Sequence, residues 1–138
     1  MKKLVVFCLI LITSFSAFAQ NKPEWILLDK KSGVKIFVKY AICDQQSIVY
    51  LKAYNANGNH VSITWKERFS MKDHNIDVNS GQVKSLSLAA STSAEAKCGD
   101  DKYLKLVVNP NDYVSMAGVG FWELEIYDLK VHETLTPL

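Results

Sequence analysis

The clearest indication of the fold is the stretch Val61-Ser62-Ile63-Thr64-Trp65-Lys66-Glu67-Arg68-Phe69. Its odd-numbered positions are mostly apolar, and its even-numbered positions are all polar. Because successive side chains of a β-strand point to opposite faces, this alternation predicts a strand with one buried face and one wet face.

The same period of two recurs on both sides of this stretch. Further strands are predicted at 34–43, 47–55, 86–88, 104–108 and 121–132. In the last of them the apolar phase changes between Ile126 and Leu129, which predicts a bulge near Tyr127-Asp128. Apolar residues do not recur at helical spacing over three turns anywhere in the sequence, so no long helix is expected.

Two short polar segments predict tight connections. Asn55-Ala56-Asn57-Gly58-Asn59 contains Asn-Gly, the pair that best tolerates the positive φ of a type I′ turn. We therefore expect the strands at 47–55 and 61–69 to form a hairpin. Asp44-Gln45-Gln46 predicts a second tight connection.

About seven to nine short strands, with turns roughly every eight to twelve residues, predict an all-β, antiparallel immunoglobulin-like β-sandwich. A small closed barrel is the alternative. One part of the layout resembles that of small secreted bacterial proteins with immunoglobulin-like folds. The segments that share this layout are Tyr54-Asn55-Ala56-Asn57, Val61-Ser62-Ile63-Thr64-Trp65, Leu86-Ser87-Leu88 and Ser91-Thr92-Ser93. The resemblance implies the fold and export, and it implies no activity.

The N-terminus has the layout of a cleaved secretory signal. A positive start at 1–3 precedes an apolar run at 4–13, and Ala17-Phe18-Ala19 supplies a small-x-small cleavage pattern. The apolar run is shorter than the roughly 20 residues that span a bilayer, so stable membrane insertion is not expected. Cys8 lies inside the run and not at the cleavage point, which argues against a lipid anchor.

We therefore predict a signal peptide at 1–19, a β-sandwich domain at 20–138 and a periplasmic or secreted location. The chain of 138 residues has 16 basic and 14 acidic side chains, and loss of Lys2 and Lys3 leaves 14 of each. A neutral domain whose single arginine is Arg68 lacks the basic field that nucleic-acid binding requires.

Two cysteines, Cys43 and Cys98, lie in the predicted mature domain. An even count in an oxidising compartment predicts one disulfide bond. Both cysteines precede polar turn residues, so the bond is expected near one end of the sandwich. A redox or metal pair is the alternative, but the sequence has no C-x-x-C and its three histidines are widely spaced.

No motif in the sequence predicts catalysis. Ser70 and His74 lie close together in the chain, but no G-x-S-x-G or S-x-x-K accompanies them. Glu123 and Glu125 share one face of a predicted strand, and their alternation with apolar residues is typical of an ordinary wet face. We therefore expect a protein that is not an enzyme.

No cofactor or metal site is predicted either. The alternating acids and amides at 73–79 have the spacing of a calcium loop. Such a loop requires glycine at its sixth position and an acid at its twelfth, where this chain has Val78 and Lys84.

The most informative surface is a row of aromatic and lysine side chains on the face opposite the predicted core. The candidate binding face consists of Lys35, Phe37, Lys39, Tyr50, Lys52 and Tyr54. Flat rings, hydroxyls and charge in one patch suit a protein partner or sugar rings. The alternatives are that another strand or the segment Trp25-Ile26-Leu27-Leu28 covers these rings, or that lysine stems shield them.

These observations favour an exported, non-catalytic binding domain that acts in the cell envelope or outside the cell. Its expected partner is another protein or a second copy of itself. A carbohydrate-binding module that uses the same aromatic and lysine face is the alternative.

Overall fold

Two antiparallel β-sheets form the part of the chain that the structure, a computed structural model, describes: residues 24–71, 76–79, 81–101, 103–110 and 122–134. The strands are β1 (Ile26–Lys31), β2 (Val34–Cys43), β3 (Gln46–Asn55), β4 (Val61–Met71), β5 (Ile76–Asn79), β6 (Lys84–Leu88), β7 (Ser93–Glu95), β8 (Val107–Val108) and β9 (Trp122–Glu133). The predicted all-β, antiparallel sandwich is confirmed at this level, and immunoglobulin-like connectivity stays a prediction.

The first sheet has the order β1-β2-β3, and β7 and β8 share the other edge of β3. In the second sheet β4 is central. The strand β9 pairs along the length of β4, so β5 and β6 share its other edge at opposite ends. Every one of these pairs is antiparallel.

Two-residue turns connect the first three strands. Ser32 and Gly33 join β1 to β2 with φ values of 45° and 76°, and Asp44 and Gln45 join β2 to β3 with φ values of 50° and 65°. Positive φ at both central residues is the requirement of a type I′ turn, whose twist matches that of the strands. The predicted tight connection at Asp44-Gln45-Gln46 is confirmed.

The predicted hairpin between 47–55 and 61–69 is wrong, because β3 and β4 lie in different sheets. Neither Asn57 nor Gly58 has the positive φ that a type I′ turn needs. The fully buried Asn55 side chain instead donates to the carbonyls of Asn59 (2.9 Å) and Ala89 (3.0 Å). Its Oδ1 accepts from the amide of Asn57 (3.0 Å). These bonds stabilise a crossover between the sheets.

The core lies between the sheets, where the inward rows of both meet. The predicted inward rows at 34–38 and 49–53 are buried, as are Trp65 and Phe69 of β4. In β9 the predicted bulge is confirmed at Asp128, whose φ is 53° and which interrupts the pairing between Tyr127 and Lys130. The extra residue returns Leu129 to the buried side.

Side chains of the first sheet close the sandwich along β9. The ammonium of Lys31 donates to the carbonyl of Leu129 (2.7 Å), and the hydroxyl of Tyr40 accepts from the amide of Leu124 (3.0 Å). Backbone groups on the free edge of a strand otherwise depend on water or on a partner strand. These two bonds therefore satisfy part of the β9 edge within the molecule.

The predicted strand at 104–108 is shorter than expected, since only Val107–Val108 is a strand. Asp101 accepts bonds from the amides of Tyr103 and Leu104 (both 2.9 Å), which fold the preceding residues into turns. Within the described ranges, the chain has no helix long and apolar enough to cross a membrane.

Candidate binding face

The pairing of β2 with β3 brings the six predicted residues together on the outer face of the first sheet. They form three cross-strand pairs, each of one aromatic ring and one lysine: Lys35 with Tyr54, Phe37 with Lys52, and Lys39 with Tyr50. The residues between them point inward and belong to the core. Directly opposed side chains on an antiparallel pair lie within contact distance, so the face is one continuous patch.

One half of this face is covered. The described residues of 96–107, here called the cover, contribute Ala96, Leu106 and Val107 to a second apolar cluster outside the main core. This covered half contains the buried Ile48, Tyr50, Ala96 and Val107, with Trp25, Ala41, Cys43 and Leu106 packed against them. Only 4% of Tyr50 is exposed, so its ring is core and not accessible surface.

Both ends of the cover are bonded to the same residue of β3. The amide of Leu51 donates to the carbonyl of Leu106 (2.8 Å), and the carbonyl of Leu51 accepts from the amide of Ala96 (3.1 Å). The predicted disulfide bond between Cys43 and Cys98 is confirmed, with 5.6 Å between the Cα atoms. It joins the cover to the turn end of β2, near one end of the sandwich, as expected.

The other half of the face is open. Lys35 is exposed, and Phe37, Lys52 and Tyr54 are half-buried. Leu27 lies opposite Phe37 in the register of β1 with β2, and 48% of it is exposed. We call these five residues the open half.

Trp25 and Lys39 lie at the boundary between the halves. The Lys39 ammonium is 4.6 Å from the centroid of the Trp25 ring and 5.7 Å from that of Tyr50. The Lys52 ammonium is 5.8 Å from the Trp25 ring and 3.3 Å from a carboxylate oxygen of Glu95. The segment Trp25-Ile26-Leu27-Leu28 was the sequence's candidate for covering the face. Trp25 packs on the covered half, whereas Leu27 is itself exposed on the open half.

The outer face of the second sheet is of a different kind. Arg68 pairs with Glu125, and Asp128 lies 3.8 Å from the ammonium of Lys66 and 3.5 Å from that of Lys130. The Tyr127 ring lies 6.0 Å from Lys66 and 5.7 Å from Arg68. Glu125 therefore forms a salt bridge at the surface.

The sequence pattern did not single out Glu67, which is 1% exposed and lies on the inward side of β4. One of its carboxylate oxygens accepts from the indole of Trp65 (2.9 Å), and the other lies 2.9 Å from the ammonium of Lys84. The available signal was its odd-numbered position among the inward residues of β4. This pair joins β6 to β4 inside the sandwich.

Among the described residues, the one group of potential metal ligands with donor atoms within 4.8 Å of each other is Cys43, Asp44 and Cys98. Both sulfurs are in the disulfide bond, and metal binding by cysteine requires the thiolate. The calcium-like spacing at 73–79 and the Ser70 and His74 pair depend on 72–75, which lies outside the described residues, as does the predicted signal peptide.

Comparison with models of protein families, with curated proteins and with solved structures finds no match to this chain.

Proposed function

We propose that this protein is an exported, non-catalytic domain that binds another protein, or a second copy of itself, through the open half. The observation that carries the proposal is the set of three aromatic–lysine pairs, of which the cover leaves two accessible. Export is supported by the signal-like N-terminus and by the disulfide bond, which persists in oxidising compartments.

The open half has the chemistry of a protein interface. Aromatic rings are enriched at such interfaces because they bring large apolar area with few rotatable bonds. Here Phe37 lies opposite the exposed Leu27 (48%) of β1 and diagonal to Tyr54 of β3, so these three side chains share one face. Contiguous exposed apolar side chains rimmed by charge are typical of an interaction site.

Charge favours a partner surface that contains carboxylates. Lys35, Lys39 and Lys52 lie on this face, and the neighbouring Glu95 offsets one of them. A surplus of positive charge around an apolar centre accelerates association with an acidic surface and disfavours a basic one.

A glycan ligand is the second candidate. The half-exposed Tyr54 ring beside Lys35 offers a stacking surface with hydrogen-bonding groups at its edge. Leu27 and Phe37 on the same face are apolar and give sugar hydroxyls no partner, so a protein suits the whole surface better.

Site-specific photocrosslinking tests the proposal. p-Benzoylphenylalanine placed at position 54 of the full chain, in the cells that export it, should capture one defined species. The same reporter at position 127 is the matched control, because Tyr127 is also half-buried but lies on the outer face of the second sheet. Capture at position 127 alone, or equally at both positions, would contradict the proposal.

The captured species is then tested for affinity. Tyr54→Ser should weaken its binding about tenfold or more, as expected for an aromatic anchor, and Tyr127→Ser should leave it unchanged. Retention on insoluble glycan, lost in Tyr54→Ser, would instead select the carbohydrate candidate.

A further inference from the structure

A small cavity lies at the turn end of the covered half, between the β2–β3 hairpin and the cover. Its volume is about 190 Å³. The residues that line it are Cys43, Asp44, Gln46, Ile48, Tyr50, Gly99, Asp100 and Val107. At about 30 Å³ for each molecule of liquid water, the space matches roughly six waters or one small organic molecule.

The hydroxyl of Tyr50 is available to a ligand in this cavity. The residue is 96% buried, yet the hydroxyl has no hydrogen-bond partner among the described residues. Every fully occluded side-chain nitrogen or oxygen in the described part of the chain does have a partner. The hydroxyl is therefore not sealed in the apolar cluster, and Tyr50 lines the cavity together with Asp44 and Asp100.

Two carboxylates lie near this hydroxyl. Asp44 belongs to the hairpin turn and Asp100 to the cover. Burial raises the pKa of Tyr50, and the negative charges of Asp100 and Asp44 raise it further, so the phenol is neutral at ordinary pH. One oxygen of Asp100 accepts from the amide of Lys97 (2.7 Å), and this bond leaves the second oxygen unused.

We propose that this cavity binds a primary ammonium group at the end of a short alkyl chain. The carboxylates of Asp44 and Asp100 and the Tyr50 hydroxyl are three acceptors for the three N–H donors of such a group. The described lining contains no cationic side chain. The aliphatic walls of Ile48 and Val107 suit the alkyl chain.

Other cations fit this site less well. A quaternary ammonium has no N–H group to donate to the Tyr50 hydroxyl, which would stay without a partner at a cost. A bare divalent ion would leave the apolar walls in contact with water and most of the volume unfilled. The disulfide bond holds the hairpin and the cover in place, so both carboxylates are positioned before the ligand arrives.

The test is a titration of the oxidised full chain with n-butylammonium chloride, followed by amide chemical shifts in NMR spectra. Saturable shifts should centre on residues 43–50 and 96–107. n-Butanol has the same chain without charge and tetramethylammonium has charge without N–H donors, and both should bind at least about tenfold more weakly. Equal binding of butanol or of tetramethylammonium, or the absence of saturable shifts, would refute the site.

Variants assign the contacts. Asp44→Asn and Tyr50→Phe should each weaken butylammonium binding about fivefold to tenfold, since each removes one acceptor and keeps the shape. Asp101→Asn is the matched control, because Asp101 is exposed in the same segment and does not line the cavity. An unchanged affinity in Tyr50→Phe, in a variant whose thermal unfolding matches that of the parent, would overturn the proposal.

The ammonium group has two possible sources, a free amine or a lysine side chain of a protein partner. Repeating the photocrosslinking at position 54 with excess butylammonium separates them. Loss of the captured species assigns the cavity to a partner lysine, and unchanged capture assigns it to a free amine. The NMR titration stands without any captured partner, so failure of the proposed function does not hide the result.

Discussion

The outer faces of the two sheets differ in the side chains that lie opposite each other. Across β4 and β9, charged side chains pair with each other, as Arg68 does with Glu125. Across β2 and β3, rings stand opposite lysines that cannot neutralise each other, and half of the face lies under a covalently fixed segment. Apolar area on the outer face of the first sheet is therefore covered where a distant segment packs on it, and it stays accessible where none of the described residues does.

Removing the disulfide bond that fixes the cover should cause the largest loss of stability. The Cys43→Ser, Cys98→Ser double variant is expected to lose about 4 kcal/mol of unfolding free energy, because the bond closes a loop of 55 residues in the unfolded chain. Urea unfolding measures the loss. A reducing agent should shift the midpoint of the parent and not that of the variant; a shift in both would mean that the reagent acts elsewhere.

The second largest effect should be a difference in stability between variants on the covered half and variants on the open half. Tyr50→Ser is expected to destabilise the protein by about 3 kcal/mol, because it leaves a cavity under the cover. Tyr54→Ser on the open half should cost under about 1 kcal/mol, as is usual for a partly exposed side chain. Chemical unfolding of both variants gives the comparison, and equal losses would mean that the open half is also core.

The buried ion pair of Lys84 with Glu67 should contribute more to the free energy of unfolding than the exposed ion pairs of the second sheet do. Lys84→Met removes the ammonium from a carboxylate that is 1% exposed, and we expect a loss of about 2 kcal/mol. This is below the range for fully enclosed pairs, because 15% of the Lys84 side chain is accessible and water can partly replace it. Unfolding of the variant tests the value, and a neutral outcome would show that the other partners of Glu67 satisfy its carboxylate without Lys84.

A double-mutant cycle on Arg68→Ala and Glu125→Ala gives the matching number for the outer face of the second sheet. Both side chains are more than one-third exposed, so their coupling should be under about 1 kcal/mol and should fall with added salt. A larger, salt-insensitive coupling would mean that this face is itself covered in the native protein.

The smallest predicted effect is a shift in titration. The pKa of Tyr50 is raised above its ordinary value of 10.0 by burial and then by Asp100 and Asp44. The folded state therefore holds the phenol proton more tightly than the unfolded chain does. The associated stability is fully present below pH 10 and is lost as pH rises through the raised pKa.

Absorbance at high pH, with Tyr50→Phe as the reference, isolates this tyrosine. Asp100→Asn should lower its pKa more than Asp44→Asn does, in the order of their charges' influence. An unchanged titration in both variants would place the carboxylates too far away to act on the hydroxyl.

Local pattern was enough to predict a large part of this molecule. Alternation assigned the inward rows of β2 and β3, and the phase change in β9 located the bulge at Asp128. The alternation did not predict the role of Asn55. Its side-chain amide donates to the distant carbonyl of Ala89, and the chain forms a crossover here in place of the expected hairpin. The alternation also gave no role to Glu67. A charged side chain is stable at an inward position only when it has partners, and its partner Lys84 belongs to another strand.

The alternating sequence of β2 and β3 was sufficient to place six side chains on one face, because the strand period of two is a property of the backbone. It could not say that Tyr50 is core while Tyr54 is accessible, since both occupy outward positions of the same strand. Their difference comes from a segment more than 40 residues away, which packs on one half of the face and is fixed there by Cys98. Burial depends on what the folded chain brings from a distance, and for that reason the accessible surface became known only with the fold.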